Sequence, residues 1–400
     1  MTDNRSGMRL LIVSPWFPYP PDNGSRLRAW HLIKRLARHH EVRLVVGQQD
    51  DALGREVPLD VPITIVPWLW HKLGATGKQG ALKALFSAIP RSILETPNPA
   101  FVEAITQELS RKPEAVLAME LGSDAYLPDS LPCPVILDQV ELSGMEQTWR
   151  RAMSRRERAA RWLTYHKGKS YWQQRLARYD LLTAVSEAEA LAVEAIVGGG
   201  KAVAVVPNGV ATADFCLQTK PKGVPGRLIY NGALSYSPNK DAVLWFVKTI
   251  LPKITEKVPE AHLIVTGRSE SAPIELVNHP QVQLTGFVPD LKPTLAEAMV
   301  CVTPLRSGGG TRLKILEAWA AGIPVVATTI GAAGLEGSRD GEHLLLADTP
   351  DAFAHKTVLL LQNEALCQKI AGQARTLAEE RFDWDVIVER LERALDLVTK

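Results

Sequence analysis

The chain has 400 residues, with 46 Lys and Arg against 44 Asp and Glu, for a formal net charge of +2. That length suits two domains of roughly 200 residues, each with a full core, and the ordinary apolar content excludes a chain disordered throughout. The near balance of charge, together with the lack of a zinc-finger or RNP-type motif, excludes nucleic acid as the expected partner.

Four cysteines, Cys133, Cys216, Cys301 and Cys367, are widely spaced and form neither a CxxC pair nor a metal cluster. They fit reduced thiols in a reducing cytosol. No apolar run approaches the ~20 residues of a membrane-spanning helix, and Leu10 to Val13 is too short for a signal-peptide core, so the expected location is cytoplasmic.

In chain order, Met1 to Gly7 is a polar end expected to fray, and Arg9 to Ser14 is a continuous apolar run of the buried parallel type. A Pro-rich loop ending in Asn23 and Gly24 leads to a helix over Leu27 to Arg38. Strands over Glu41 to Val46 and Ile63 to Val66 follow, then a helix over Phe101 to Arg111 and strands over Ala115 to Met119 and Val135 to Leu137. Between Arg150 and Arg178 stand eight arginines and two lysines against one acid, Glu157, interleaved with Trp162, Tyr165, Tyr171 and Trp172. Two readings of this stretch stay open: a surface for an anionic membrane, which would make the protein peripheral at the inner face of the plasma membrane, and a solvated helix.

The Pro- and Gly-bearing stretch Lys220 to Gly226 has the character of a linker. A second series of strands begins after it, over Leu228 to Tyr230, His262 to Val265, Gln281 to Leu284, Val300 to Thr303 and Val325 to Ala327. A last helix is expected over Trp384 to Val398. The alternation predicts an α/β protein of two Rossmann-like, doubly wound parallel-sheet domains. Their expected bounds are 8–215 and 226–384.

The segment from Pro304 to Ala327 concentrates the chemistry. Gly308, Gly309 and Gly310 let the backbone turn sharply and bring bare N–H groups close to a ligand. A helix predicted over Thr311 to Ala321 would point its unpaired amides and its dipole into that loop, where a phosphate binds. Arg312 and Lys314 place positive charge in the first turn, which a bound anion would compensate. Glu317, nearly two turns along, is a carboxylate suited to accepting hydrogen bonds from two adjacent ribose hydroxyls. The alternative is a glycine loop that only connects a strand to a helix.

These residues resemble the nucleotide-sugar motif of retaining family 4 glycosyltransferases of the GT-B type. That motif runs Glu, seven residues, Glu-Ala, with Gly and Pro-Val after it. The first strand with its Pro-Gly loop, Leu182 to Glu187, Val206 to Val210, Leu228 to Gly232 and Leu284 to Pro289 extend the resemblance over most of the chain. The form Gly308 to Lys314 is similar to a subgroup associated with bacterial surface polysaccharide assembly. One departure is clear: the family's first Glu, which contacts the donor sugar, is replaced here by Gly309.

The resemblance implies two domains facing a cleft, with a last helix at about 385–400 packing back on the first. It implies transfer of a hexose from a nucleotide-diphosphate sugar to a glycan or lipid-linked acceptor, with no cofactor and no metal. Arg312, Lys314 and Glu120 form the expected catalytic set. Glu120 stands near the place where the family commonly carries a sugar-touching His, and Glu141 is a second candidate there. Donor binding is expected from Asn23, Gly24, Lys240, Arg306, Gly308, Gly309, Gly310, Thr311, Leu313, Glu317, Phe287 and Val288. Arg26 and Arg28 are assistants, or mere decoration of the first helix. A core role for Phe287, a surface role for Lys240, and capping roles for Glu120 and Glu141 stay open. Two rival functions also stand: a nucleotide-sugar epimerase, and a non-catalytic nucleotide-binding partner in a glycan-assembly complex.

Overall fold

The structure is a computed structural model that describes residues 7–48, 58–67, 87, 98–144, 149, 154–198, 200–215 and 223–399. Arg150, Cys216 and the start of the expected linker at Lys220 lie outside the described residues. The chain divides into two compact units, 1–207 with 388–400, and 208–387.

The first unit is built on a seven-stranded parallel sheet in the order β3-β2-β1-β4-β5-β6-β7. The strands are β1 (Arg9–Ser14), β2 (Glu41–Gln48), β3 (Ile63–Pro67), β4 (Ala115–Met119), β5 (Val135–Asp138), β6 (Leu181–Ala184) and β7 (Val203–Val205). The β4, β5 and β6 runs are buried at every position, as expected when helices cover both faces of a parallel sheet. Covering helices include α1 (Gly24–Leu36), α2 (Pro99–Leu109), α3 (Arg155–Leu176) and α4 (Glu187–Val197). Residues 388–400 complete this unit, with Val388, Leu391 and Leu395 buried.

The second unit carries a six-stranded parallel sheet in the order β10-β9-β8-β11-β12-β13. Its strands are β8 (Arg227–Asn231), β9 (His262–Thr266), β10 (Val282–Gly286), β11 (Val300–Thr303), β12 (Val325–Ala327) and β13 (Leu345–Leu346). The helices are α5 (Ser237–Trp245), α6 (Leu251–Thr255), α7 (Ile274–Val277), α8 (Lys292–Ala296), α9 (Leu313–Ala320), α10 (Pro350–Gln362) and α11 (Glu364–Arg381), and α12 (Trp384–Thr399) begins in this unit and continues into the first from Val388. In each sheet the order reverses at one point, between β1 and β4 and between β8 and β11. Ligands of open α/β sheets bind beyond the strand C-termini at such a point. Two loops meet that condition in the second unit, one after β8 and the glycine loop after β11.

The long basic helix α3 buries little, with only Gly168, Trp172 and Leu176 inside. Part of the charge of the basic stretch is spent within the fold, where Arg175 Nε of α3 lies 2.7 Å from Asp124 Oδ2 and Arg178, just past the helix, lies over the Tyr179 ring. Arg155, Arg156, Arg158 and Trp162 stay exposed. Among the described residues no helix is long and apolar enough to cross a membrane.

Candidate functional site

The glycine loop and the start of α9 differ in detail from the sequence expectation. The helix begins at Leu313 rather than Thr311, because Arg312 has left the helical region at φ −86° and ψ 79°. Its guanidinium folds back into the loop, donating to Gly309 O at 2.5 Å, Gly308 O at 3.0 Å and Ile330 O at 3.0 Å. Arg312 is buried, so it is a clasp across the loops after β11 and β12 rather than a cation projecting from a first helical turn. Gly308 and Gly310 take φ of 113° and 74°, values that a side chain would strain.

Lys314 projects to the end of β8. Its Nζ donates to Tyr230 Oη at 2.8 Å and Asn239 Oδ1 at 3.0 Å, and lies 4.1 Å from the centre of the Tyr230 ring. Tyr230 in turn donates to Asn239 Oδ1 at 2.6 Å, and Asn239 Nδ2 donates to Ala233 O at 3.0 Å. These acceptors are all neutral, so burial dominates and pushes the Lys314 amine down to about 7, with nearby Arg312 adding to the fall. A Cβ at Gly232 would stand 2.9 Å from Lys314 Nζ and 2.8 Å from Asn239 Nδ2. A side chain at residue 232 would therefore displace the amine from its place at the strand end.

Glu317 faces the same space from the next turn of α9. Burial pushes its carboxyl up to about 7, against the opposing pull of Lys314 and of Asn231. Asn231, the last residue of β8, donates through Nδ2 to Glu317 Oε2, while its buried Oδ1 has no hydrogen-bond partner among the described residues. A buried amide oxygen without a partner costs about 1–3 kcal/mol, which a ligand hydroxyl would recover. Tyr230, Asn231 and Asn239 escape the sequence reading. The available signal is a polar Asn closing an otherwise apolar strand run.

Thr311 is buried, and its Oγ1 accepts from Asn208 N at 3.4 Å. Leu313 opens α9. Arg306 is exposed, paired bidentately with Asp241 and lying 5.2 Å from the Trp245 ring centre, so its charge is already matched. Lys240 is half-buried on α5, with no ion pair among the described residues. Phe287 is 52% exposed after Gly286, so the core alternative does not hold; Val288 is half-buried beside it.

In the first unit, Asn23 caps α1 by accepting from Arg26 N at 3.0 Å, and Gly24 is the first helical residue. Arg26 pairs with Asp22 at 3.0 Å. Arg28 neither assists at a ligand nor decorates a surface. It is fully buried, with Nε and Nη2 each 2.7 Å from the Asp138 carboxylate and Nη1 2.9 Å from Pro207 O. Glu120 follows β4 with φ of 63°, outside the regions common for a carboxylate residue, and its Oε2 accepts from Trp16 Nε1 at 2.7 Å. Its Oε1 is buried without a partner among the described residues. Glu120 makes no side-chain cap to the short helical turn after it. Glu141 is solvent-accessible but crowded; desolvation raises its carboxyl, with Glu189 and Glu120 adding to the rise.

The sequence reading finds no Asp-x-Asp of the kind that binds a metal; one is present, Asp383-Trp384-Asp385, at the start of α12. Asp383 Oδ2 accepts from Thr212 N at 3.0 Å and Oδ1 from Asp385 N at 2.8 Å, so this pair acts as a local cap. A cavity of about 560 Å³ opens beside Met299, Ile323 and Leu360. It lies at the N-terminal ends of the second sheet's strands and contains none of the cradle residues.

Residues 225–363, which run from β8 to α10 and include the whole cradle, match the family model described as Glycosyl transferases group 1. The fold is that of GT-B glycosyltransferases. Anabaena Alr3699/HepE in complex with UDP and glucose superposes with a TM-score of 0.66 over 98% of this chain and 100% of its own, at 15% identity. Sucrose-phosphate synthase from Thermosynechococcus elongatus gives 0.69 over 97% and 98%, at 16% identity.

Among curated proteins, the phosphatidyl-myo-inositol mannosyltransferase of Mycobacterium leprae is 28% identical over 204 residues, 48% of this chain and 53% of its own length. An uncharacterized 44.6 kDa protein in the cps region of Klebsiella pneumoniae is 23% identical over 39% of this chain and 42% of its own. The matched part of the chain thus spans about half or less of these relatives.

Proposed function

We propose that this protein is a retaining, metal-independent glycosyltransferase of family 4. It moves a hexose from a nucleotide-diphosphate sugar to a glycan or lipid-linked acceptor in surface polysaccharide assembly. The observation that carries this reading is the coincidence, within residues 225–363, of the family match with a half-buried, desolvated Lys314 and Glu317 beside an open glycine loop. The mannosyltransferase and cps-region relatives support the polysaccharide setting.

In this mechanism the diphosphate lies on the amides of Gly309 and Gly310 with the Lys314 ammonium beside it, and Glu317 takes the ribose hydroxyls. Charge that develops on the leaving phosphate as the glycosidic bond opens meets these fixed dipoles and the ammonium, which is where such stabilisation lowers a barrier most. The acceptor hydroxyl attacks from the same face, with the leaving phosphate as its base and no carboxylate nucleophile. Glu120 serves at the sugar or the acceptor. The exposed Arg155, Arg156, Arg158 and Trp162 of α3 present the enzyme to an anionic lipid surface in the cytoplasm.

Incubation of the purified protein with UDP-, GDP- and ADP-hexoses and lipid-linked or glycan acceptors, in the presence of a chelator, tests the reading. It expects free nucleoside diphosphate and a product that keeps the donor's anomeric configuration. An inverted product, a chelator-sensitive reaction, or an altered nucleotide sugar without transfer would each reject a part of it.

A further inference from the structure

The glycine loop has a constraint of its own. In a planar trans peptide the carbonyl of one residue and the N–H of the next point in opposite directions. Arg312 holds the carbonyls of Gly308 and Gly309 together on one side, through Nη2 at 3.0 Å and Nη1 at 2.5 Å. The N–H groups of Gly309 and Gly310 belong to those same two peptides, so both are turned to the side away from the guanidinium. Neither donates to a protein group among the described residues. The same guanidinium also holds Ile330 O at 3.0 Å, tying the loop after β12 to the loop after β11. Gly334 of that second loop has φ of 80° and lets the two backbones meet, since a Cβ there would lie 3.3 Å from Gly310 O.

We infer that Arg312 is a positioning residue, which fixes two successive glycine amides as a preformed anion nest for a diphosphate without touching the diphosphate itself. The inference rests on the nucleotide-sugar reading for the identity of the ligand, and it replaces the direct catalytic contact that the sequence suggests for Arg312. Successive N–H groups held in one orientation form a concavity for anions. Three consecutive glycines would otherwise sample many conformations, and ordering them on each binding event would weaken affinity. The fork geometry matters, because a lysine ammonium gives its three donors from one tetrahedral nitrogen, whereas the planar guanidinium spreads these contacts over two nitrogens at fixed positions.

The test is calorimetric titration of the wild type and Arg312→Lys with UDP, GDP, ADP, the matching nucleosides and pyrophosphate, at several salt concentrations, with unfolding temperatures measured in parallel. Arg312→Lys keeps the charge and loses the fork. A clasp predicts diphosphate affinity reduced by about tenfold or more, nucleoside affinity unchanged, and a salt dependence of diphosphate binding equal to that of the wild type, because no ligand-contacting charge has changed. Arg312→Gln should match it in all three respects and serves if the lysine variant does not fold. Affinity left unchanged in either folded variant overturns the inference. A flattened salt dependence in Arg312→Gln also overturns it, since that is the mark of a lost direct charge contact. Wild-type protein that binds pyrophosphate but no nucleoside diphosphate removes the nucleotide-sugar reading and leaves the clasp to be judged on pyrophosphate. Binding of neither removes both.

Discussion

At the scale of single residues, burial decides which charges serve a ligand and which serve the fold. Arg28 and Asp138 are both fully buried, and Thr183 Oγ1 adds a 2.6 Å hydrogen bond to the same carboxylate. Breaking such a pair from one side strands the other charge, so Arg28→Ala should lose about 3–5 kcal/mol in urea unfolding. A loss below about 1 kcal/mol would deny the pair its structural role. The sequence could not show this, because Asp138 stands 110 positions from Arg28. Lys314 and Glu317 present the opposite case, since their identity was legible and their environment was not. A carboxyl raised to about 7 keeps a proton in the folded chain that the unfolded chain has released, so stability falls as pH climbs from the ordinary carboxylate range to about 7. Lys314, lowered to about 7, acts in the other sense, and its penalty is relieved as pH rises from there toward the ordinary lysine range. Glu317→Gln should therefore gain on the wild type by on the order of 1–3 kcal/mol between about pH 5 and about pH 7.5, read by urea unfolding at both values. Parallel pH profiles for the two proteins would contradict a Glu317 carboxyl raised by desolvation.

At the scale of elements, continuous apolar runs made the central strands legible, and β1, β4, β11 and β12 carry the expected bounds. Strands β7 and β13 were not, since three and two residues offer no period to read. The start of α9 was misread for a different reason: helix propensity over Thr311 and Arg312 is outweighed by three carbonyl contacts of one guanidinium, which no local pattern reports. The loop after β8 shows the same dependence on a distant partner. Gly232 leaves the room that the Lys314 amine and Asn239 occupy. Gly232→Ala should push both aside and weaken binding of a nucleoside diphosphate by roughly tenfold more than binding of its nucleoside, as compared by titration. Equal losses for the two ligands would place the Lys314 amine away from the phosphates.

At the scale of the whole molecule, two parallel sheets with one order reversal each account for where the chemistry gathers, and β-α alternation in the sequence was enough to predict both. The sharing of the end of the chain follows from the family resemblance and not from the alternation. Residues 388–400 belong to the first unit although they follow the second in sequence, and Glu392 Oε1 lies 2.8 Å from His39 Nδ1 and 3.2 Å from His40 Nε2. Removing residues 388–400 takes away the buried Leu391 and Leu395, each a large-to-nothing change costing about 2–5 kcal/mol. The truncated chain should lose the cooperative unfolding of the first unit in calorimetry, whereas an unaltered profile would contradict that assignment.

The central claim is that the loop from Gly308 to Thr311, with Lys314 and Glu317, holds a nucleoside diphosphate. Its most direct test is calorimetric titration of the purified protein with UDP, GDP and ADP, without added metal, beside Glu317→Ala. The account predicts selective binding of one of the three, weakened in the folded variant by at least ~1.5 kcal/mol through loss of charged hydrogen bonds to the ribose. Binding of none, or binding that Glu317→Ala leaves intact, would contradict it.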